Sequence, residues 1–478
     1  MRTKIIATIG PSSSEPHILE QLLLAGVDVF RLNFSHGTHD DHAATIANIR
    51  KLALLHKKNL AILGDLQGPK IRVGMVTQDG VNLESNQLIN LWSGTNISTA
   101  SDLYISYPNL AADVKIGERI LMDDGKLSAE VVGIYGPRIE AKILVGGKLK
   151  NKKGVNLPDT ITGLPSITEK DERDLAFALA HKLDWIALSF VRNANDIKQL
   201  RKLIQLSPTN WKPGIIAKIE KPEALDDLER IIKVSDAIMI ARGDLGIEIP
   251  FEKLPIIQKR IVQESLQHSK PTIVATQMLE GMINNTTPTR AEINDVANSV
   301  MDGADALMLS AETSAGLYPV EAVKAMVKIV VETEKYPQIY HRKVKVPKGH
   351  SDRQITDSIV AAAVRLSNDA EVSAIITHTL SGYSAFKLAS HRPFSRIFIF
   401  SHDHDLLNKL NLVWGVKGFY YEHLTSSEQA LEDMRQILLN TGHLVPNDLV
   451  IQMAGFPILE KAKSNMLMLK NVTVADKG

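Results

Sequence analysis

The sequence predicts an α/β protein: a (β/α)8 TIM barrel, a β-rich lid domain inserted after its third strand, and a C-terminal α/β open-sheet domain. Three observations predict it. Eight units, each a short apolar run followed by a helical pattern, fill the first two-thirds of the 478 residues. The alternation breaks once, over residues 69–165. A second alternating stretch begins beyond residue 350. Eight βα units are the number that closes a barrel, although a doubly wound sheet also holds many of them.

Taken in order, strands at 3–9, 27–33 and 60–65 alternate with helices at 16–25 and 40–56. After the break come a helix at 168–181, a strand at 185–190, a helix at 195–204 and a strand at 214–219. A helix at 222–232, a strand at 237–241, a helix at 251–268 and a strand at 272–275 follow. A helix at 289–301, a strand at 306–309 and a helix at 319–334 complete the set. The strands are apolar and β-branched without strict alternation, as expected where both faces are covered. Inside the break, 119–122 and 127–132 read as a hairpin around Asp123-Asp124-Gly125-Lys126, with 139–145 a further strand. An insert in a βα loop stands at the C-terminal mouth of a barrel, where active sites lie, so a lid is expected and a decorative insertion is the bland alternative. The basic, proline-containing stretch 336–350 reads as a linker. Beyond it, helices at 355–366, 384–391 and 427–439 alternate with strands at 372–377, 396–401, 416–421, 448–453 and 471–475. The domains are therefore expected at 1–68 with 166–340 (barrel), 69–165 (lid) and 341–478 (C-terminal domain).

The 55 Lys and Arg balance 54 Asp and Glu, a net charge of +1 that argues against a nucleic-acid binder. There is no Cys, which excludes disulfides, thiolate nucleophiles and Cys-ligated metals within the chain. No signal-peptide pattern or membrane span is recognised, so a cytoplasmic protein is expected.

Chemistry-bearing residues collect where barrel strands end. Arg31, Asn33 and Ser35 share one side of the second strand by its period of two. Asp65 ends the third, followed by Leu66-Gln67-Gly68-Pro69-Lys70-Ile71-Arg72. Lys218 and Glu220 project together from the fifth, and Arg242 and Asp244 follow the sixth in a glycine-containing stretch that reads as a loop. Thr276 follows the seventh strand, and Ser310 and Glu312 the eighth. Any single pair could merely cap a barrel layer or the next helix. Six such ends on one rim are costly to bury without a ligand. Glu220 and Asp244 offer two carboxylates, a set that Mg²⁺ completes with phosphates and water. Arg31, Arg72 and Lys218 suit the oxygens of a transferring phosphoryl group, and Thr276, Ser310 and Glu312 a proton relay through water. No Walker A sequence is present, so a nucleotide would be held by the mouth and the lid.

The stretches Leu32-Asn33-Phe34-Ser35-His36-Gly37, 65–72, 217–220, 241–246, 275–280, 288–292 and 308–313 resemble the pyruvate kinase family, in order and over nearly the whole chain. The resemblance is to bacterial members. It implies the same barrel, lid and C-terminal regulatory domain, and transfer of a phosphoryl group from phosphoenolpyruvate to ADP. It further implies that Glu220 and Asp244 bind Mg²⁺, for which Mn²⁺ can substitute. The backbone around Arg242, Gly243 and Asp244, with Thr276, would hold the substrate carboxylate. Lys218 and Arg31 would stabilise the phosphoryl group, and Lys218 the enolate oxygen. Asn33, His36, Arg72 and Lys153 would contact the ADP or ATP nucleotide, and Thr276 with water, linked to Ser310 and Glu312, would deliver the proton.

Members that need K⁺ carry a Glu where this chain has Lys70 and a Thr where it has Leu66; their K⁺ ligands match Asn33, Ser35, Asp65 and that Thr. The Lys70 ammonium is therefore expected to replace K⁺, and K⁺ not to be required. The family's effector loop matches Thr377, Thr379, Ser381, Gly382 and Ser384, which suit a phosphate. Leu380 and Tyr383 replace the basic residues of bisphosphate-activated members, and no Arg is near Gly455-Phe456-Pro457. AMP or a sugar monophosphate is the expected kind of effector, and a ligand-free helix start the alternative. The family is generally homotetrameric, so a homo-oligomer is expected. A different Mg²⁺-dependent phosphoenolpyruvate enzyme, a degenerate binding barrel and adhesion through Arg242-Gly243-Asp244 are the competing readings. Retention of Lys218, Glu220 and Asp244 disfavours the degenerate barrel.

Overall fold

The computed structural model describes residues 1–77, 80–344, 353–422, 426–455 and 463–473. Strands Lys4–Ile9, Val29–Asn33, Ala61–Asp65, Trp185–Leu188, Gly214–Ile219, Ala237–Ala241, Thr272–Ala275 and Ala306–Leu309 close a parallel barrel in chain order. Their residues are nearly all buried because the two faces of each strand meet two different cores. Ile5, Ile62, Ile215, Ile238 and Val274 pack outward under the helices. Ile6, Val29, Leu63, Ala187, Ile216, Met239 and Met308 fill the interior. Period two then dictates what stands one layer nearer the mouth: Thr8, Arg31, Asp65, Ser189, Lys218 and Ser310. In register, Thr8 lies opposite Arg31 and Asn33 opposite Asp65.

The helices begin where their caps dictate. Thr38, Thr168, Asn193 and Thr289 each form a reciprocal capping box with the acidic residue three positions on. Three expectations are corrected. The helix read at 222–232 is two, Pro222–Asp226 and Leu228–Val234. They part at Asp227, whose carboxylate accepts from Ala194 N–H at 2.8 Å instead of facing solvent. The stretch after the sixth strand is a helix, Arg242–Glu248, rather than a loop. Neither Gly243 nor Gly246 takes a positive φ, so neither glycine marks a turn. The last described strand is Met466–Asn471, antiparallel to Leu449–Ala454; of the described part of the strand read at 471–475, only Asn471 belongs to it. The strand starts earlier than its β-branched residues because the edge of the sheet pairs with Met466–Lys470 as well. Residues 474–475, the linker beyond 344, and Phe456 and Pro457 lie outside the described residues.

The insert has a core of its own, from Val73 to Leu157. Its main sheet runs in the order Val155–Asn156, Arg119–Met122, Leu127–Tyr135, Arg138–Val145, Leu88–Ser93, Asp102–Ile105. The expected hairpin is present, with Met122 opposite Leu127 and Asp123, Asp124 and Gly125 all at positive φ in the turn. Arg72 bridges to Gly154, so the two chain crossings between lid and barrel are paired with each other.

The C-terminal sheet has five strands, in the order Val416–Tyr420, Arg396–Ser401, Ala374–His378, Leu449–Ala454, Met466–Asn471. This domain closes the barrel floor. Leu412 joins the interior core, and Trp185 Nε1 donates to Lys409 O at 3.2 Å. The Trp185 ring crosses the floor because Gly214 has no Cβ; one added there would come within 2.3 Å of it. Beside it, Asp305 accepts from Thr272 N, from Trp414 N and from both Nη atoms of the buried Arg392. Among the described residues, no helix is long and apolar enough to cross a membrane. Leu412→Ala should leave a cavity under the barrel and lower stability by about 2–5 kcal/mol, read as a shift in denaturant midpoint at constant slope.

Candidate active site

The mouth is organised by one buried carboxylate. Asp65 Oδ2 accepts from Arg31 Nε at 2.8 Å and lies 2.7 Å from Arg31 Nη2. Its Oδ1 lies 3.3 Å from Lys218 Nζ. Burial alone would raise the Asp65 pKa, but Lys218 and Arg31 outweigh it and hold the group below its ordinary range. Lys218 has a second acidic neighbour, Glu220 Oε1 at 2.9 Å, and donates to Ser189 Oγ at 2.7 Å. Burial opposes its charge, yet Asp65 and Glu220 together raise its pKa, so the ammonium is permanent. Arg31 is completed by Thr8, whose Oγ1 accepts from Nη1 at 2.9 Å.

Glu220 accepts from Phe190 N–H at 2.7 Å through Oε2. Its Oε1 is buried and receives no well-directed hydrogen bond, only the ion pair with Lys218. Burial raises the Glu220 pKa, Lys218 opposes the rise and Asp244 adds to it. Asp244 is therefore near, in the first turn of Arg242–Glu248. No group of three His, Asp or Glu side chains forms a metal site among the described residues. Two carboxylates with an unsatisfied buried oxygen fit a hard cation that keeps water and substrate in its shell.

Arg242 does not face the mouth. Its guanidinium reaches Asp295 Oδ1 at 2.7 Å and Thr276 O at 2.8 Å, and so clamps the loop after the seventh strand. That loop needs a clamp, because Thr276 and Gln277 both take positive φ, at 70° and 54°. Thr276 Oγ1 accepts from Gly243 N–H at 2.6 Å and donates to Ala275 O at 2.6 Å. Glu312 is buried, and its two oxygens accept from Leu279 N at 3.1 Å and Ser310 N at 2.7 Å. Burial raises its pKa against these bonds. The Ser310 hydroxyl is buried with no partner.

Between mouth and lid is a cavity of about 220 Å³, lined by Lys70, Arg72, Arg192, Asp244 and Glu248 among others. Burial, then Lys218 and Arg72, lower the Lys70 pKa, while Asp244 and Glu220 raise it, which places its ammonium in the field of both carboxylates. His36 sits by the same cations: burial, then Lys70, Arg72 and Arg31, lower its pKa. Asn33 Oδ1 accepts from Ser35 N at 3.1 Å, and Leu66 is buried beneath. Lys153 remains on the lid, 2.7 Å from Asp123.

The site thus gathers Arg31, Asp65, Lys70, Arg72, Lys218, Glu220 and Asp244, and it includes residues that the strand-end reading passed over. Ser189 and Phe190 directly follow the fourth strand, and Ser189 falls two residues after inward Ala187; that spacing was the available signal. Arg192 ties the lid to the barrel through Thr162 O and Leu164 O at 2.7 and 2.8 Å. Asn156 of the lid reaches Glu248 at 2.8 Å, on the helix that carries Asp244.

In the C-terminal domain, Gly382 has φ 77° and its N–H donates to Thr379 Oγ1 at 3.0 Å, just before helix Tyr383–Ser390. Ser381 and Ser384 line a pocket of about 170 Å³ there, while Thr377 is buried in the preceding strand. Cations absent from the loop itself arrive from elsewhere, as Arg353 and Lys463.

Residues 1–323 match the model of the pyruvate kinase barrel domain, and 357–469 that of the pyruvate kinase alpha/beta domain. A pyruvate kinase of Agrobacterium vitis is 40% identical over 467 residues, covering 98% of this chain and 97% of its own. One of Geobacillus stearothermophilus is 40% identical over 469 residues, covering 98% of this chain and 79% of its own. The crystal structure of a pyruvate kinase from Cryptosporidium parvum superposes with a TM-score of 0.91 at 34% identity, covering 98% of this chain and 96% of that one.

Asp65→Asn should leave Arg31 without its buried carboxylate and Lys218 with Glu220 alone, and lower stability by about 3–5 kcal/mol at neutral pH, measured by chemical denaturation. With its pKa depressed in the fold, the Asp65 contribution is present above the ordinary Asp range and lost as pH falls below it; the variant should therefore approach the parent in acid.

Proposed function

The chain belongs to the pyruvate kinase family and transfers the phosphoryl group of phosphoenolpyruvate to ADP, giving pyruvate and ATP in the last step of glycolysis; on that premise we propose how its barrel mouth divides the work. The observation that carries the reading is the Lys218 ammonium, held between Asp65 and Glu220 at a buried strand end. A cation fixed in a dry site stabilises charge that develops there without having to reorganise. Lys218 faces both the phosphoryl group and the enolate oxygen left behind, and Arg31 covers the phosphoryl oxygens.

Glu220 and Asp244 would hold the Mg²⁺ with which the family works, and Mn²⁺ can replace it. That ion supplies charge neutralisation for the phosphoryl oxygens. The backbone from Arg242 to Asp244, with Thr276, positions the substrate carboxylate. The Arg242 side chain acts indirectly, by fixing the Thr276 loop through Asp295. Asn33, His36, Arg72 and Lys153 bind the nucleotide as the lid comes down. Protonation of the enolate proceeds through Thr276 and water, with the unpartnered Ser310 hydroxyl next in line and Glu312 holding both loops. Lys70 provides the charge that K⁺ provides elsewhere, as a point charge on a flexible stem. The enzyme works as a cytoplasmic homotetramer, and the pocket at Thr379, Ser381, Gly382 and Ser384 takes a phosphorylated effector.

A coupled assay of pyruvate formation from phosphoenolpyruvate and ADP tests this. Lys218→Met should cut turnover by about a hundredfold or more while phosphoenolpyruvate still binds, and a mild effect would remove the residue from its role. Turnover of the parent should be the same with and without K⁺ at constant ionic strength; a manyfold rise on adding K⁺ would remove Lys70 from its own.

A further inference from the structure

Beneath the barrel, on the face away from the mouth, a cleft of about 430 Å³ separates the floor from the C-terminal domain. Six cations line it: Arg201, Lys212 and Lys270 from the barrel, and Arg353, Lys387 and Lys409 from the other side. Two carboxylates answer them. Asp236 is engaged by Arg201 at 3.0 Å, and Asp357 by Lys387 at 3.5 Å and the Tyr383 hydroxyl at 2.7 Å. Among the described residues, Lys212, Lys270, Arg353 and Lys409 have no carboxylate at ion-pair distance. Lys270 is half-buried, and its ammonium donates to Ser235 O. Burial lowers its pKa first; Asp236 opposes this, while Arg201, Arg353 and Lys387 push it further down.

Like charges held together in a partly buried cleft repel unless an anion joins them. Their heads arise from two domains, so an anion between them would be gripped from both. The cleft has room for a small molecule but not for a nucleic-acid duplex. We infer that this cleft is an anion-binding site for a small phosphate-bearing molecule that bridges the barrel and the C-terminal domain. It is separate from the pocket at Thr379–Ser384. The two share Arg353, Ser381 and Tyr383 as a common wall, but the cleft adds the barrel's cations, and the pocket adds Thr356, His378 and Lys463. A dianion suits it better than a carboxylate, because several cations converge and a phosphate offers three acceptor oxygens to them.

The test is calorimetric titration of the full-length, metal-free protein with inorganic pyrophosphate and, in a second arm, phenyl phosphate. The exposed Lys212→Gln and the partly exposed Lys409→Gln spare the fold and should each weaken one binding event by about tenfold, the loss of one charge-assisted contact. Thr379→Val, in the neighbouring pocket, and Arg72→Gln, at the mouth, should leave that event intact. The better-bound probe distinguishes an organic ester from an inorganic phosphate as the natural source. Absence of the event with both probes in the parent protein, or an event that the two lysine variants leave untouched, would overturn the inference.

Discussion

The mouth of this barrel depends on the bond between the Asp65 carboxylate and two cations, Arg31 and Lys218. Both cations are inward residues one layer above an apolar interior, where an uncompensated charge is costly. Asp65 makes it affordable to keep them there, and it does so from the third strand, between the second and the rest. Everything nearer solvent follows from that placement. Glu220 is positioned against Lys218 and the Phe190 N–H, Asp244 against Glu220, and Lys70 in the field of both. The inserted segment then brings Lys70 and Arg72 to the mouth, and its roof is tied to the barrel through Arg192 and Asn156.

Much of this was legible in the residues. Period two in a parallel strand told which side Arg31, Lys218 and Glu220 share, and eight βα units told that those sides converge. The hairpin at Asp124-Gly125 was readable because its turn chemistry is local. What escaped the sequence was tertiary. Arg242 carries a charge beside a strand end and so reads as a ligand group, yet its guanidinium turns back to brace a loop with two left-handed residues. Asp227 splits a helix because its partner is Ala194, thirty-three positions away. Met466–Asn471 becomes a strand because an edge is available, not because its residues prefer one. The cations near the loop 377–384 were invisible in the loop because Arg353 and Lys463 come from other segments.

The strained Thr276–Gln277 turn shows how the barrel spends stability where chemistry is needed. Positive φ at a β-branched residue is unfavourable, and here it is held by Gly243 N–H on one side and Arg242 on the other. The Thr276 hydroxyl is thereby locked in direction before any substrate arrives.

Leu412 and Trp185 bear on how separable the parts of this enzyme are. A barrel usually fills its own floor, and its appended domains can be exchanged like attachments. Here the floor is finished by a residue from the last domain, and Asp305 at the base of the eighth strand is tied to Arg392 and Trp414. The C-terminal domain is consequently part of the barrel's foundation. A minimal catalytic fragment cut at the linker would expose an apolar opening and strand a buried carboxylate. Gene fusions or domain exchanges in this architecture must carry the 392–414 segment with the barrel, whatever they do with the rest of the domain.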